Sequence, residues 1–399
     1  MRRLALGAAL LAALATSAFA SASPAAHWVA TDIAAQAHLE FPRYTGLALV
    51  GMTPAGRVIW TTQRPDGTQW EREVFQWQNG LITDLGPLPQ HALPDGLNAG
   101  GAIIGTSYEP PYCGYASPPS CHPGPGHAFL WQPGKLTPLG SLGGADSEAW
   151  SINDRGQIVG SSQTAGGVRH AFLWQGGTMT DLGTSSGGES DALAINNRGQ
   201  ILEDISVGKS DEIVLWQEGR TTPIASFRNC QWAAFNDRGQ VIGLCKKPGG
   251  PTRALLWVNG RTTDLGVDFQ GAPMAINDRS DVVEPLQTSE DSSRGVLWRN
   301  GERIDLGSFG GPRTLPIALN ERDQVVGVSS APVRRHGFVV WHPFFWQGGK
   351  LTMLPAAGSV SFDVMDVNAA GTLIAGGMSP FSCGSLSCAD TLFVWQYVR

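Results

Sequence analysis

The sequence AWSINDRGQIVGSS at residues 149–162, followed by HAFLWQGGTMTDLG at residues 170–183, forms a unit that recurs with variations along the chain. Seven of the eight units have a turn centred on Asn, and every unit has, further on, a tryptophan that ends an apolar run. The tryptophans lie 41 to 54 residues apart, at Trp77, Trp131, Trp174, Trp216, Trp257, Trp298, Trp346 and Trp395. The turn residues are Asn98, Asn153, Asn196, Asn236, Asn277, Asn320 and Asn368, with Thr53 at the matching position of the first unit. The chain therefore contains eight units of one turn and one tryptophan each.

Each unit predicts four short strands, because short apolar runs are separated by turn residues. In the third unit these strands cover residues 149–152, 157–161, 170–174 and 179–182. Between the first two strands, Asn153 can bind the backbone two residues on, and Gly156 accepts the left-handed conformation that closes such hairpins. Ser280 and Asp323 replace this glycine in two other units, and Ser tolerates the conformation less well than Asp.

The residues just before the turn alternate in size. The last one is large and apolar in all eight units: Met52, Leu97, Ile152, Ile195, Phe235, Ile276, Leu319 and Val367. The one before it is small in seven units: Gly51, Gly96, Ser151, Ala194, Ala234, Ala275 and Ala318. Asp366 is the exception. Successive side chains of a strand point to opposite faces, so the small residues share one face and suit crowded packing near a common axis.

Units of this length with four strands each are typical of β-propeller blades. The eighth unit lacks its fourth strand, and Thr31-Asp32-Ile33 near the start of the chain matches Thr180-Asp181-Leu182 of a fourth strand. We therefore predict an all-β fold of eight four-stranded blades, with one blade built from both ends of the chain. The alternatives are seven blades with the divergent first unit set aside, and an open solenoid, against which the complementary chain ends argue.

The first twenty residues resemble an export signal. Arg2 and Arg3 precede a short apolar run at residues 4–15, and Ala18-Phe19-Ala20 forms an A-x-A cleavage site. No later segment is apolar over the length that a membrane span needs. These features predict a signal peptide at residues 1–20, a single propeller domain at 21–399, and a periplasmic or extracellular bacterial location.

Composition argues against two classes of partner. The formal net charge is −6 and only 16% of the residues are charged. Nucleic acids and anionic membranes both require a basic stripe, so we expect neither as a partner. We expect a monomer with no cofactor and no metal.

Six cysteines form three local pairs, an even count that suits disulfides in an exported protein. The pairs are Cys113 with Cys121, Cys230 with Cys245, and Cys383 with Cys388. Counting outward from the turn at residues 236–239, Phe235 should oppose Gln240, and Cys230 should oppose Cys245. None of these spacings has the companion histidines of a zinc site.

The pattern I-N-D-R-G-Q-I-V-G, then H-A-F-L-W and T-D-L-G, resembles the HAF-type probable extracellular repeat of exported bacterial proteins. The resemblance covers nearly all of residues 27–399 and is strong in units 2, 3 and 5. It is weaker in unit 8 and in units 4 and 6, where Glu203 and Glu284 replace the second glycine. It implies the repeat architecture and an exported protein, and it provides no catalytic residues.

Function is expected where the repeat is interrupted. Three connections vary in length, at residues 107–126, 331–343 and 378–390. Loops held by a rigid scaffold often carry binding residues, and tyrosine rings suit sugars or peptides. We therefore predict that this face binds a glycan or a protein. The candidate residues are Tyr108, Tyr112, Tyr115 and His122 in the first connection, and Arg334, Arg335 and His336 in the second.

An enzyme is the alternative hypothesis. No G-x-S-x-G, H-E-x-x-H or P-loop motif is present. The recurring Asp84, Asp181, Asp264 and Asp305 belong to outer strands and should be dispersed around the rim. A polysaccharide-directed hydrolase or lyase would instead use axial acids such as Asp366 and Asp95, and would need several titratable groups at one mouth of the channel.

Overall fold

The chain forms eight four-stranded antiparallel sheets that follow one another around a ring. The computed structural model describes residues 26–40, 45–65, 70–109, 124–184, 187–207, 210–224, 230–246, 250–267, 275–289, 291–335, 338–355, 363–378 and 391–398. The first strands of neighbouring blades contact one another, so the first strand of each blade is innermost. The predicted eight-bladed β-propeller is confirmed.

The elements are named in chain order, and blades 1 to 7 are each formed by four consecutive strands. Strand β1 (His27–Asp32) and helix α1 (Ile33–Glu40) come first. Blade 1 contains β2 (Thr45–Met52), β3 (Val58–Pro65), β4 (Trp70–Gln78) and β5 (Leu81–Pro87). Blade 2 contains β6 (Ala92–Leu97), β7 (Ile103–Tyr108), β8 (Gly126–Gln132) and β9 (Lys135–Pro138). Blade 3 contains β10 (Gly143–Ile152), β11 (Ile158–Thr164), β12 (Arg169–Gln175) and β13 (Thr178–Asp181).

The remaining blades continue in the same order. Blade 4 contains β14 (Ser190–Ile195), β15 (Ile201–Val207), β16 (Ser210–Gln217) and β17 (Arg220–Pro223). Blade 5 contains β18 (Cys230–Phe235), β19 (Val241–Lys246), β20 (Thr252–Val258) and β21 (Arg261–Val267). Blade 6 contains β22 (Ala275–Ile276), β23 (Val282–Ser289), β24 (Ser292–Arg299) and β25 (Glu302–Asp305). Blade 7 contains β26 (Thr314–Leu319), β27 (Val325–Arg335), β28 (Phe338–Gln347) and β29 (Lys350–Met353). Blade 8 contains β30 (Asp363–Val367), β31 (Leu373–Met378) and β32 (Thr391–Val398).

The two ends of the chain close the ring. Strand β1 pairs antiparallel with β32 and is the outer strand of blade 8. Asp32 lies opposite Phe393, in the register that Asp181 has opposite Phe172 in blade 3. The predicted match between the chain start and a fourth strand is thus confirmed, and the divergent first unit is a complete blade.

The chain leaves blade 8 through a helix that the repeat does not predict. Ile33, expected to end the strand, instead begins α1 and is fully buried. The Asp32 carboxylate accepts a hydrogen bond from the Ala35 N–H at 2.9 Å, as an N-cap residue does. Within the described residues, no helix is long and apolar enough to cross a membrane.

The hairpin of blade 5 carries a disulfide. Cys230 pairs with Cys245 across β18 and β19, as predicted, and the two sulfurs are bonded. The predicted pairing of Phe235 with Gln240 is wrong, because Phe235 pairs with Val241. The Gln240 carbonyl belongs to the turn, which shifts the pairing by one residue, and a bulge further along β18 restores the register before the cysteines.

Side-chain volumes are matched between the second and third strands of a blade. A Cβ atom on Gly105 would lie only 2.9 Å from the end of the Phe129 ring on the next strand. Glu203 and Glu284 take the place of this glycine in blades 4 and 6, and there the facing residue is smaller than phenylalanine. The facing residues are Val214 and Val296. The smaller facing side chains relieve this contact with the third strand only, because the atom nearest to a Cβ on Gly105 is the Leu93 carbonyl oxygen of the inner strand.

The aspartate of T-D-L-G stabilises the end of the outer strand. Asp181 accepts a hydrogen bond from the Gly183 N–H at 2.7 Å, and its carboxylate lies 2.9 Å from the His170 ring nitrogen. Blades 5 and 6 have an arginine in place of the histidine. The equivalent pairs are Arg253–Asp264 at 2.7 Å and Arg294–Asp305 at 2.9 Å. These contacts give His170 and the recurring aspartates a structural role.

The Asn turns join the blades to one another. The Asn153 Oδ1 accepts hydrogen bonds from the N–H groups of Arg155 and Gln157 within its own turn. Its Nδ2 donates to the Gln157 side chain at 2.8 Å and to the Asn196 carbonyl of the next blade at 2.9 Å. The same bond between blades starts from Asn98, Asn196, Asn236, Asn277 and Asn320. We call these bonds the asparagine ladder.

Candidate functional site

The ring has two faces with different connections. In an up-and-down blade, the turns between the first and second strands and between the third and fourth strands lie at the same end. This end, which carries the asparagine ladder, is the turn face. The connections between the second and third strands and between blades lie at the other end, the loop face. The strands that flank the three long connections predicted to carry function, β7 and β8, β27 and β28, and β31 and β32, are second and third strands, and the ends that these connections join lie at the loop face.

Carboxylates also ring the channel at the turn face, where they bind backbone. A cavity of about 300 Å³ there is lined by turn residues of six consecutive blades, 2 to 7, and by large apolar residues that precede those turns. The Asp154 carboxylate accepts a hydrogen bond from the Ala99 N–H at 2.8 Å, and Asp237 accepts one from the Asn197 N–H at 2.7 Å. In the same way, the Asp278 carboxylate accepts a hydrogen bond from the Asp237 N–H, and the Glu321 carboxylate accepts one from the Asp278 N–H. These carboxylates thus link adjacent turns.

At the loop face, charged and aromatic side chains of three blades meet around Glu148 on the inner strand β10. The Glu148 carboxylate accepts a hydrogen bond from the Tyr108 hydroxyl of blade 2 at 3.1 Å. Its other oxygen accepts one from the Arg169 guanidinium at 2.7 Å, and Arg169 also donates to the Asp191 carboxylate of blade 4 at 2.8 Å. These contacts bring blades 2, 3 and 4 together at one mouth of the channel.

Three further residues belong to this group: Trp150, Asp146 and, on the inner strand of blade 2, Asp95. The Arg169 guanidinium carbon lies 5.2 Å from the centre of the half-buried Trp150 ring, close enough for a cation–π contact. The Asp146 carboxylate accepts a hydrogen bond from the Gly126 N–H at 2.7 Å. A Cβ atom on Gly126 would lie 2.9 Å from that carboxylate and 3.2 Å from the Tyr108 ring, so the site leaves no room for a side chain. We call Asp95, Tyr108, Asp146, Glu148, Trp150, Arg169 and Asp191 the mouth cluster.

Asp95 is the unpartnered acid of the mouth cluster. It lies on the inner strand of blade 2, and within the described part of the chain its carboxyl has no hydrogen-bond or ion-pair partner. Burial raises the pKa of Asp95 to about 7, and the charge of Glu148 adds to the effect. Solvent still reaches this side chain, although the channel wall limits its hydration. Burial, followed by the charge of Glu148, also raises the pKa of the Tyr108 hydroxyl.

The other axial acid of the enzyme hypothesis lies elsewhere. Asp366 is on the inner strand of blade 8, and blade 1 separates it from Asp95 around the ring. Burial raises the pKa of Asp366 to about 6, against the opposing effect of a hydrogen bond from the Val367 N–H at 2.7 Å. Asp95 is thus close enough to Glu148 to be affected by its charge, whereas Asp366 lies apart from both. No group of three or more acidic, histidine or cysteine side chains among the described residues could hold a metal ion.

The predicted binding residues have different outcomes. Tyr108 belongs to the mouth cluster. Arg334 and Arg335 lie on β27, in an extension of the blade 7 hairpin where they pair with residues 339 and 338. Several predicted residues fall outside the described part of the chain: Tyr112, Tyr115, His122 and His336, and the cysteine pairs Cys113–Cys121 and Cys383–Cys388. These stay predictions.

Sequence reasoning missed three central residues, Glu148, Arg169 and Asp191. A signal for two of them was present, because Glu148 and Asp191 both lie five residues before the turn asparagine in adjacent units. Alternation along the strand then directs both side chains to the same side of neighbouring inner strands. Arg169 carries no such signal, because its importance comes from contacts with two other strands.

Comparisons with known proteins support the fold and do not identify a function. The chain matches no protein-family model, and no curated protein has a similar sequence. It is similar to the structure of Porphyromonas gingivalis dipeptidyl peptidase 4, at 10% identity and a TM-score of 0.57, over 86% of this chain and 57% of that one. It is also similar to a prolyl endopeptidase structure, at 10% identity and a TM-score of 0.52, over 88% of this chain and 57% of that one. A third similar structure is the β-propeller domain of the Trilobed protease from Pyrococcus furiosus. Its sequence identity is 12% and its TM-score is 0.47, over 79% of this chain and 96% of that one.

The chain thus spans less than two thirds of the length of the two peptidases. At these identities the likeness shows a shared propeller architecture alone.

Proposed function

We propose that this propeller is a recognition scaffold that binds a glycan at the loop-face mouth of its channel, on blades 2, 3 and 4. A sugar has C–H faces that pack on aromatic rings and hydroxyls that donate to carboxylates. Trp150 and Tyr108 offer aromatic surface, Glu148 and Asp191 offer acceptors, and Arg169 offers donors. A concave site with a few convergent polar groups is the usual form of a small-ligand site.

The observation that carries this proposal is the convergence of blades 2, 3 and 4 where the repeat is broken. Most other inner strands have small or apolar side chains at the matching positions; the exceptions at the position of Glu148, besides Asp191, are Gln231 and Asp363. Ala233 and Ile317 correspond to Trp150, and Leu315 corresponds to Glu148. Departures from a repeat that bring charged groups together are expected at functional sites, since a scaffold alone does not require them.

The charge of the mouth cluster favours a neutral glycan. Asp146, Glu148 and Asp191 carry three carboxylates against the one guanidinium of Arg169, and Asp95 adds a fourth acid. An acidic polysaccharide would be repelled from such a mouth. We therefore expect the protein to prefer neutral oligosaccharides to polyuronates.

A glycan array followed by calorimetry on the neutral oligosaccharides it selects tests the proposal. Trp150→Ala should weaken binding about three- to tenfold, the effect of losing one aromatic contact. Trp232→Ala is the matched control, because Trp232 is an accessible tryptophan on the inner strand of blade 5. Equal affinities of the wild type and the Trp150 variant, or no binding to any glycan, would contradict the proposal. A variant without residues 110–123 tests the contribution of Tyr112, Tyr115 and His122.

The alternative function, a polysaccharide-directed hydrolase or lyase, has one observation in its favour. Asp95 is an accessible acid with a raised pKa and lies near a second carboxylate, Glu148, as general acids often do. Incubation with the oligosaccharides that bind, followed by chromatography of the products, tests it. Cleavage by the wild type that Asp95→Asn abolishes, without loss of binding, would favour this alternative.

We also propose that the repeats are of the HAF type and that the protein is exported to the periplasm or beyond the cell. The Cys230–Cys245 disulfide supports an oxidising compartment. N-terminal mass spectrometry of the protein recovered after cell fractionation tests this proposal. A mature chain that begins near Ser21 is the expected result, and an intact Met1 in the cytoplasmic fraction would contradict it.

A further inference from the structure

A second concave surface adjoins the mouth cluster on the loop face. It is a groove of about 610 Å³ between blades 2 and 3. Three of its wall residues are direct chain neighbours of residues in or bound to the mouth cluster. Glu109 follows Tyr108, Ala145 precedes Asp146, and His127 follows Gly126. The groove therefore comes within one residue of the mouth cluster at three strand ends, all on the loop face.

The groove extends the site outward from the channel. The mouth cluster uses the inner strand β6 and the second strand β7 of blade 2, whereas the groove lies along β8 and β9. Adjacent strands are about 4.8 Å apart, so the four strands cover roughly 14 Å from the channel to the rim. This distance exceeds the length of one sugar unit and suits a chain of several.

The groove also has the mixed chemistry of a sugar-binding surface. The His127 ring nitrogen lies 3.0 Å from the Glu109 carboxylate, and the two side chains are 49% and 59% exposed. Leu136 is 47% exposed, and Pro89 and Pro138 complete an apolar wall. Such surfaces pack against the C–H faces of sugar rings, while the exposed pair has free capacity for hydroxyls.

We propose that the ligand is an extended neutral oligosaccharide with one unit at the mouth cluster and its following units in the groove between blades 2 and 3. This inference rests on the proposed function and specifies its substrate class as a chain of several sugar units and not a single terminal sugar. The adjacency of the groove to the mouth cluster at these strand ends carries it, together with the outward direction of the four strands of blade 2.

The test uses the mature protein and a neutral series from monosaccharide to hexasaccharide of the linkage the array selects, with cello-, xylo- and N-acetylchito-oligosaccharides as the first probes. Affinity should rise about tenfold or more between the monosaccharide and the tetrasaccharide and then level off, as the groove fills. Glu109→Ala and His127→Ala should remove this gain and leave monosaccharide affinity unchanged. Arg294→Ala, which removes an equally exposed pair in blade 6, is the matched control and should change neither affinity.

The outcomes separate the two proposals. Equal affinity for short and long chains, with binding still weakened in Trp150→Ala, overturns the groove and leaves the mouth cluster as the site. Length-dependent affinity that is unchanged in both groove variants also overturns it. Failure of every oligosaccharide to bind overturns the proposed function and this inference together.

Discussion

The buried asparagines of the turns are the residues on which the ring most depends. The Asn236 side chain makes four hydrogen bonds, two inside its turn through Oδ1 and two through Nδ2, one of which reaches the Asn277 carbonyl of the next blade at 2.8 Å. Asn236→Ala would leave buried partners unsatisfied, so we expect a loss of about 2–4 kcal/mol in the free energy of unfolding. Urea denaturation measures it.

The matched control is Asn98→Ala. The Asn98 side chain makes two bonds, to the Ala102 N–H and, at 3.3 Å, to the Asn153 carbonyl, and it is less deeply buried. Asn98→Ala should therefore lower the free energy of unfolding by less than half as much as Asn236→Ala. An equal effect of the two substitutions would show that the ladder does not determine the stability of the turns.

A buried acid in blade 4 should make stability depend on pH. Glu203 is 1% exposed, one of its oxygens lacks a partner among the described residues, and burial raises its pKa to about 8. The folded state therefore keeps a proton that the unfolded chain releases near pH 4.5. Stability should fall as the pH rises from about 5 to 8 and stay level above, with a total effect on the order of several kcal/mol.

Glu203→Gln tests this dependence, because an amide keeps the shape and cannot ionise. Urea denaturation at pH 5 and pH 8 should show a smaller difference for the variant than for the wild type. Asp95 and Asp366 have raised pKa values as well and act in the same direction, so the variant should flatten the decline and not abolish it. A decline of equal size in both proteins would contradict the assignment.

At the scale of single residues, local rules predicted well and contacts between blades did not. Ser280 and Asp323 adopt the left-handed conformation expected of the glycine they replace, with φ of 72° and 57°. The requirement is set by four residues of one turn, so the sequence contains it. Glu148 and Arg169 matter because a tyrosine from one blade and an aspartate from another reach them. No local rule specifies such a meeting.

The hairpin of blade 5 is the element whose covalent bond can be tested directly. The Cys230–Cys245 bond closes a loop with a sequence separation of 15 residues. Chain entropy then predicts a loss of about 2–3 kcal/mol in the double variant Cys230→Ser, Cys245→Ser. Urea denaturation without reductant measures the loss, and circular dichroism should show the strands unchanged. An unchanged midpoint would mean that the hairpin constrains the unfolded chain by itself.

The closing strand is the element that protects the ring from an open edge. All six residues of β1 pair with β32, and the Trp28 ring lies 4.9 Å from that of Phe345 in blade 7. A variant without residues 27–32 would expose the backbone of β32 as a free edge, which promotes association. We expect aggregates in size-exclusion chromatography. The control variant, without residues 21–25, should elute like the wild type.

Elements inside the repeat were predictable, whereas elements at its limits were not. The four strands of blade 3 match the predicted ones, except that β10 begins at Gly143 instead of residue 149. The alternation that defines a strand is lost in its Gly-rich beginning. Helix α1 occurs once, so the comparison of units gave no indication of it.

At the scale of the whole molecule, the number of blades followed from counting turns and tryptophans, and the closure from the match of the chain ends. The placement of a site did not follow, because eight similar units differ in function only through side chains that meet across them. The long connections suggested the loop face, and Tyr108 and Asp95 are the two residues named from the sequence that lie in the mouth cluster. The repeat pattern therefore predicted the architecture, and the positions where the pattern is interrupted predicted part of the site.

The ring should open first at blade 1, because the asparagine ladder is interrupted there. Thr53 replaces the asparagine and has no amide to donate, and the Arg57 guanidinium instead binds the Gly100 carbonyl of blade 2 at 2.8 Å. Local unfolding begins where fewest interactions hold the structure. In hydrogen exchange, the turn after β2 should therefore exchange faster than the turns of blades 3 to 5.

Thr53→Asn should repair the interruption. The Thr53 hydroxyl already accepts a hydrogen bond from the Arg57 N–H at 3.1 Å, in the way that the other turns use the asparagine Oδ1. An asparagine would keep this bond and add an amide donor toward the Asn98 carbonyl, for a gain of about 1 kcal/mol. Slower exchange at the turns of blades 1 and 2, with blade 5 unchanged, is the expected result. If exchange slows nowhere, the bonds between turns do not control the opening of the ring.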